Sequence, residues 1–309
     1  MPYLKSQSFK GIKYQLLVIL LPMITLLGCR ELVQDEFPDF TPVPTVNSFL
    51  VADSAIKVHV SMAAKLDSLP LKNVDQAEVL LFVDGTFKET LAATGEGMFS
   101  STTIAEAGKS YQCEVKIAGY ETARCTDSIP LPNPILKIEH IRTGGIDDEG
   151  LTYPAIKFTF SNNTREKRYY EAIIRYYRDI SWSTPYWTTA YLMEITDPVL
   201  LAEGLPIAVF SNDQIKGDTY TMVLNYSSGS YHMEDNVMVP ELFPVILELR
   251  SISYNYYLYL KQLYLYNLGR YPEFPVGVGS VFPLHSNVQN GYGIFAGYST
   301  FLSEIIDPE

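Results

Sequence analysis

Apolar and polar residues alternate over much of the chain, and this period of two is typical of half-buried β-strands. The clearest examples are residues 56–62, 77–83, 111–117, 122–126, 156–160 and 245–249. Asp84-Gly85 and Asn290-Gly291 each favour a hairpin turn, because both positions of such a turn tolerate a positive φ. The pattern therefore predicts a mainly β fold.

One segment changes to a helical period. Ser253 is a suitable N-cap residue, and Gly269 is suited to the position after a helix. Between them, four residues fall on one helical face: Tyr256, Leu260, Leu263 and Tyr264. We predict about one helix here, although the high density of tyrosine also allows a strand.

Three prolines, Pro130, Pro132 and Pro134, interrupt the strand pattern and mark a domain boundary. Residues 46–132 contain about seven short strand signals, which predict a β-sandwich of immunoglobulin-like or transthyretin-like type. Residues 133–309 are also rich in strand signals and are predicted to form a second β-rich domain.

The N-terminus has the pattern of an export signal. Lys5, Lys10 and Lys13 precede an apolar run at residues 16–27, which is too short to span a bilayer comfortably. The run ends in Leu26-Leu27-Gly28-Cys29, the pattern of a lipoprotein signal. We therefore expect residues 1–28 to be removed and the Cys29 thiol to be lipidated. The alternative is an ordinary signal peptide with an incidental cysteine.

Residues 29–45 are predicted to be a lipidated tether, because they are acidic and contain several prolines. Without residues 1–28 the chain has 20 Lys and Arg against 35 Asp and Glu, a net charge of −15. This charge argues against nucleic acid and anionic lipid surfaces as partners. The expected contact with a membrane is through the lipid anchor.

Cys113 and Cys125 lie on two strand patterns that are separated by a turn at Gly119. A hairpin that turns at Gly119 places the two cysteines opposite each other, with both side chains facing inward. Two thiols in an exported protein are disulfide candidates. Two buried free thiols, which behave as small apolar groups, are the alternative.

The sequence contains no recognisable catalytic or metal-ligating constellation, so we expect a non-enzymatic protein without a cofactor or metal. The four histidines are widely spread, and residues 232–235 are interpreted as a polar loop. No nucleophile motif and no phosphate-binding glycine loop occur. A hydrolase whose two carboxylates are far apart in the chain stays open as the less favoured alternative.

Aromatic residues are the remaining binding candidates. Trp182, Tyr186 and Trp187 lie in a stretch rich in Ser, Thr and Pro, which predicts a loop or a hairpin end. Exposed rings of this kind stack on sugars or anchor a protein partner. The alternative is that these rings cover the core of the second domain.

Several motifs together resemble a known family. They are Gly108-Lys109-Ser110-Tyr111, Gly119-Tyr120-Glu121-Thr122, Ser253 to Leu260, and residues 286–295 with the sequence SNVQNGYGIF. In this order they resemble the Bacteroidota lipoproteins called domain of unknown function 4249. Cys113 and Cys125 depart from the apolar or small residues expected there, so the resemblance implies no family-wide disulfide.

That family has no assigned activity. The resemblance implies a protein at the outer membrane, facing the periplasm or the cell surface, that assists a TonB-dependent receptor. A glycan or a peptide is the expected ligand class, and a glycan-binding surface module is the alternative function.

Overall fold

A computed structural model describes residues 40–64, 72–179, 184–269 and 282–308. The strands of the first half are β1 (Pro44–Val51), β2 (Ala55–Met62), β3 (Lys72–Asn73), β4 (Glu78–Val83), β5 (Thr86–Thr90), β6 (Ala92–Gly95), β7 (Met98–Ile104), β8 (Ser110–Lys116), β9 (Ala123–Ser128) and β10 (Ile135–Ile146).

The strands of the second half are β11 (Thr152–Ser161), β12 (Tyr169–Arg178), β13 (Tyr186–Thr189), β14 (Tyr191–Leu192), β15 (Val209–Ser211), β16 (Thr219–Ser227), β17 (Tyr231–Glu234), β18 (Val237–Pro240), β19 (Val245–Ile252), β20 (Val288–Gln289) and β21 (Phe295–Leu302). Two helices are present among the described residues, α1 (Pro198–Glu203) and α2 (Tyr254–Gly269). The fold is mainly β, as predicted.

The largest sheet has ten strands in the order β13-β12-β19-β21-β1-β2-β7-β6, with β15 also on β12 and β3 also on β2. The C-terminal strand β21 lies near its middle. It pairs in parallel with β1 and antiparallel with β19. The large sheet therefore joins the two ends of the chain to the strands between them.

Two smaller sheets pack side by side on one face of the large sheet, which we call the core face. The sheet β20-β9-β8-β4-β5 encloses a first core with β1, β2 and β7. The sheet β10-β11-β16-β14 encloses a second core with β12 and β19. Phe295 lies in the first core, and Phe301 is opposite Leu249 of the second. Because alternate residues of β21 share a face, both cores lie on the same side.

Helix α2 lies on the opposite face, which we call the helix face. Tyr256 is buried against Ile252 of β19, and its ring centroid lies 5.1 Å from that of Phe49 on β1. The predicted helix is confirmed; Tyr256 of its predicted apolar side is buried, and Leu260 packs partly buried against the same cluster. The two cores and α2 therefore cover opposite faces of one sheet.

The predicted boundary after Pro132 separates most residues of the two cores. The first core takes residues from 46 to 129 and the second takes residues from 156 to 249. However, Val288 and Phe295 return to the first core. The division into two domains, and the sandwich type of the first, stay predictions.

The strand patterns are confirmed in detail. The four alternating apolar residues predicted on β2 are buried: Ile56, Val58, Val60 and Met62. Asp84 and Gly85 both have a positive φ and connect β4 to β5, as the turn signal predicts. Pro44 and Thr45, assigned to the tether, instead begin β1, because they pair with Met62 and Ser61 of β2.

Three local predictions are wrong. Asn290 does occupy a turn with a positive φ, but β20 pairs with β9 while β21 pairs with β1 and β19, so no hairpin forms. Residues 232–234 are part of β17 rather than a polar loop. The helix α1 was missed, although Asp197 caps it, Pro198 opens it and Gly204 ends it with a φ of 75°.

Glycine is required at two positions around the start of β21, where the chain lies against the backbone of β1 and of β9. Gly293 has a φ of 120°, and a Cβ atom there would overlap the carbonyl oxygen of Val46. A Cβ atom at Gly297 would overlap the backbone oxygen of Ser128. The backbone of Val46 also binds this segment, because its N–H donates to the Tyr292 carbonyl at 2.8 Å.

We expect Gly293→Ala to destabilise the protein far more than Gly119→Ala. Both glycines have a positive φ, but no atom lies within 4 Å of a Cβ at Gly119. The control, Gly119→Ala, should therefore lower the free energy of unfolding by only about 1–2 kcal/mol through backbone strain. Gly293→Ala must in addition push the segment before β21 away from β1. Urea denaturation of both variants measures the difference, and equal losses would contradict the close packing.

Candidate functional site

Four charged side chains form a continuous ladder on the helix face of the large sheet. Arg175 Nε lies 2.7 Å from Glu248 Oε2, and Arg250 Nε lies 2.6 Å from Glu248 Oε1. At the other end, Arg250 Nη1 lies 2.9 Å from Glu171 Oε2. Two cations balance two anions, so the ladder has no net charge.

Burial and ion pairing oppose each other in this ladder. Burial raises the pKa of Glu171, and the nearby Arg250 only partly opposes it. Burial acts to lower the pKa of Arg250, but Glu171 and Glu248 outweigh it and the pKa is raised. The Arg250 guanidinium also lies 4.7 Å from the centroid of the Tyr298 ring, a cation–π contact. These groups neutralise one another and are not free acids or bases.

A second ion pair fixes α2 on the sheet. Lys261 Nζ lies 2.9 Å from Glu203 Oε2, and Tyr257 Oη donates to the same oxygen. The N–H of Ser211 donates to Glu203 Oε1 at 2.7 Å. Burial acts to raise the pKa of Glu203, but the hydrogen bonds from Tyr257 and Lys261 outweigh it and the pKa is lowered. One carboxylate therefore joins α1, β15 and α2.

The start of α2 is tied to the first core. Ser253, the predicted N-cap, accepts a hydrogen bond from the Tyr256 N–H at 3.2 Å and donates to Asp127 Oδ2 at 2.5 Å. Asp127 also accepts from the Gly297 N–H at 3.1 Å. Burial raises the pKa of this carboxyl group. It connects β9, β21 and α2.

A cavity of about 300 Å³ lies between α2 and strands β12 and β15, and we call it the helix groove. Most of its walls are apolar side chains, including Ile173, Leu192, Ile207, Val209, Leu260 and Leu263. Its polar groups are Glu171, Thr189, Tyr264 and Asn267. An apolar cleft with a few polar groups is the usual form of a small-ligand site.

Tyr186 and Trp187, two of the predicted ligand-contact aromatics, do not form a common platform. They are neighbours on β13, so their side chains point to opposite faces of the sheet. Trp187 is half-buried, with its ring centroid 5.3 Å from that of Tyr177, whereas Tyr186 is 43% exposed. Trp187 shares the helix face with Thr189 of the groove. Trp182 lies outside the described residues, and so does the predicted lipidation site Cys29.

Cys113 and Cys125 are directly opposite each other on β8 and β9, and both are buried, as predicted. The two sulfurs are not bonded in this structure, where Cys125 Sγ lies 3.7 Å from the Cys113 carbonyl oxygen. Burial raises the pKa of the Cys125 thiol. A neutral buried thiol packs as a small apolar group, and a disulfide between the two stays a prediction.

Carboxylates are few in the linings of the surface cavities, the helix groove included. Each of three surface cavities has one carboxylate in its lining, from Glu171, Glu166 and Glu304 respectively. The hydrolase alternative needs two in one pocket. Within the described residues, no three His, Cys, Asp or Glu side chains are grouped as a metal site requires. None of the helices in the described ranges is long and apolar enough to cross a bilayer.

The charge ladder and the groove were not predicted from the sequence. Glu171 and Arg175 lie four positions apart in the apolar and aromatic run of β12, and therefore on one face of the strand. Glu248 and Arg250 lie two positions apart on β19, again on one face. Charged residues that share one face of an otherwise apolar strand are the signal that predicts such a ladder.

We expect Arg250→Met to destabilise the protein by roughly 3–5 kcal/mol, because it leaves two carboxylates buried without their shared cation. Lys116→Met is the control, since it removes one partner of an exposed pair with Glu78 and should cost less than about 1 kcal/mol. Denaturant unfolding at neutral pH measures both losses. A loss at Arg250 no larger than the control would contradict a buried ladder.

The family comparison covers nearly the whole chain. The chain belongs to the family described as domain of unknown function (DUF4249), whose model matches residues 30–302. A search of curated proteins gives no match.

Proposed function

We propose that this member of the DUF4249 family is a non-enzymatic, lipid-anchored binding protein of the Bacteroidota outer membrane. In this proposal it acts as the accessory or ligand-capture partner of a TonB-dependent receptor. The export signal that ends at Cys29 and the acidic, proline-rich tether support the anchoring. The order of the family motifs supports the association with a receptor.

The helix groove is the observation that carries the binding role. It is built on a continuously paired sheet, because β12 pairs with every residue of β19. Helix α2, which forms the other side of the groove, is fixed independently by the Glu203–Lys261 ion pair and by the Ser253 cap. A cleft whose walls are held in this way is preorganised, which lowers the entropic cost of binding a ligand.

The arrangement of charges favours binding over catalysis. Glu171, the single carboxylate of the groove, is paired with Arg250 and points along the ladder. A general acid or base needs a reachable proton and a partner in the same pocket. A neutral polar surface beside apolar walls suits an uncharged glycan or a short peptide.

The glycan-binding alternative is supported by Trp187. Its ring lies on the helix face, where Thr189 of the same strand lines the groove. Arg175 is opposite Thr189 and ends the ladder there, with its side chain 30% exposed. A ring for stacking beside hydroxyl and guanidinium groups is a suitable arrangement for a sugar.

The receptor association predicts co-purification. The tagged full-length protein, isolated from detergent-solubilised membranes of its own cells, should carry a TonB-dependent receptor identified by mass spectrometry. Cys29→Ala is the matched control. It removes the acceptor for lipid, so this variant should not co-purify with a receptor from the membrane fraction. If the unsubstituted protein carries no receptor, the proposed function is wrong.

The glycan alternative predicts a difference between two neighbouring aromatic residues. Trp187→Ala should weaken binding to a glycan array at least about tenfold, since loss of a central aromatic contact costs roughly 2 kcal/mol. Tyr186→Ala, on the opposite face of the same strand, should leave binding unchanged. Equal affinities for the two variants would remove this alternative.

A further inference from the structure

The hairpin formed by β17 and β18 pairs with no other sheet in the described part of the chain, although β18 lies in contact with β11. Its two strands form a separate two-stranded sheet, and neither pairs with a third strand among the described residues. Asp235 and Asn236 make the turn, with φ values of 48° and 63°, as a tight two-residue hairpin requires. The backbone N–H and C=O groups on the outer edges of the hairpin therefore have no strand partner within the described ranges.

The base of the hairpin is fixed to the body of the protein. The Glu241 N–H donates to the Ser230 carbonyl at 2.9 Å, and Ser228 Oγ donates to the Glu241 carbonyl at 3.1 Å. Tyr176 of the second core donates to the Ser228 carbonyl at 3.0 Å. The hairpin is therefore held in a defined direction from its first residues.

Beyond this base the hairpin exposes apolar side chains. Met233 is 62% exposed and Met238 45%, and Val237, opposite Glu234 on the other face, is 61% exposed. Met233 is opposite Met238, and Tyr231 is opposite Pro240, so these four residues share one face. No charged residue lies on that face.

Such a surface is unusual for a segment that stays in water. An isolated two-stranded hairpin is only marginally stable in water, and a contiguous apolar patch on a surface marks an interaction site. Methionine suits such a site, because its unbranched, polarisable side chain adapts to the shape of a partner. The unpaired edges allow a partner strand to add main-chain hydrogen bonds.

The charges around the Met233–Met238 face indicate the charge of the surface that would bind it. Residues 227–241 contain Glu234, Asp235 and Glu241 but no Lys or Arg. The two acidic residues at the tip are exposed. An anionic lipid surface would repel this tip, whereas a basic rim on a protein would attract it. The complementary surface is an apolar cleft with Lys or Arg at its edge.

We propose that the β17–β18 hairpin is the docking element of this protein, and that its Met233–Met238 face enters an apolar, basic-rimmed cleft of the membrane receptor. This inference rests on the proposed function for the identity of the partner. The hairpin and the helix groove are separate features, so one molecule has a surface for its partner and another for its ligand.

Photo-crosslinking in native membranes tests the proposal. A photoreactive phenylalanine derivative replaces Met233 in the full-length protein, and the same group replaces Leu201, which is 58% exposed on α1, as a control. We expect a crosslink to the receptor from position 233 and none from position 201. Crosslinks to lipid alone, or equal crosslinks from both positions, would overturn the proposal.

Substitution gives an independent measure. Met233→Ser combined with Met238→Ser should reduce the amount of co-purified receptor at least about tenfold. Glu234→Lys combined with Asp235→Lys should do the same by charge reversal. Leu201→Ser is the control and should retain the receptor. Unchanged thermal unfolding of the variants, whose altered side chains are exposed, excludes a folding defect.

The outcomes separate the two proposals. If the unsubstituted protein co-purifies with a receptor and the hairpin variants retain it, the hairpin inference fails while the proposed function stands. If the unsubstituted protein carries no receptor, both fail. If the unsubstituted protein and the Leu201→Ser control carry the receptor and the hairpin variants do not, the result supports both the proposed function and the hairpin inference.

Discussion

The position of β21 between β1 and β19 is the constraint on which the structure depends. This strand closes the large sheet, contributes Phe295 to the first core and places Tyr298 under Arg250 on the helix face. Gly293 permits the approach to β1, and Gly297 permits the approach to the end of β9, because a side chain there would overlap the backbone oxygen of Val46 or of Ser128 respectively. Gly293 of the family motif is thus explained by packing, and no role in ligand binding is needed to account for it.

The helix face depends in turn on this closure. Helix α2 is held at its start by Ser253 and Asp127, and along its length by Lys261 and Glu203. Both contacts are charged or charge-assisted hydrogen bonds in half-buried surroundings, where such bonds are stronger than in water. The groove between α2 and the sheet is therefore a consequence of how the helix is attached. The Arg250 ladder neutralises the charges that the groove would otherwise expose.

The sequence predicts the local features of this fold better than the contacts between distant segments. The alternation on β2, the Asp84-Gly85 turn, the opposition of Cys113 and Cys125 and the Ser253 cap all depend on short-range rules, and all four are confirmed. The partners of β21 are about 50 and 250 residues away, and no period or turn signal encodes such a pairing. For the same reason the ladder and the groove, which join β12, β19 and α2, were not predicted. The β17–β18 hairpin was missed because Asp235-Asn236 was not recognised as a turn.

The most direct test asks whether the two cores unfold together. Urea unfolding can be followed by tryptophan fluorescence, which includes Trp187 on β13, the strand paired with β12 of the second core, and by the reactivity of Cys113 and Cys125, which are buried in the first core. Because β21 joins both cores in one sheet, we expect the two probes to report one coincident transition. Two transitions with separate midpoints would contradict it and would show that the cores are independent domains.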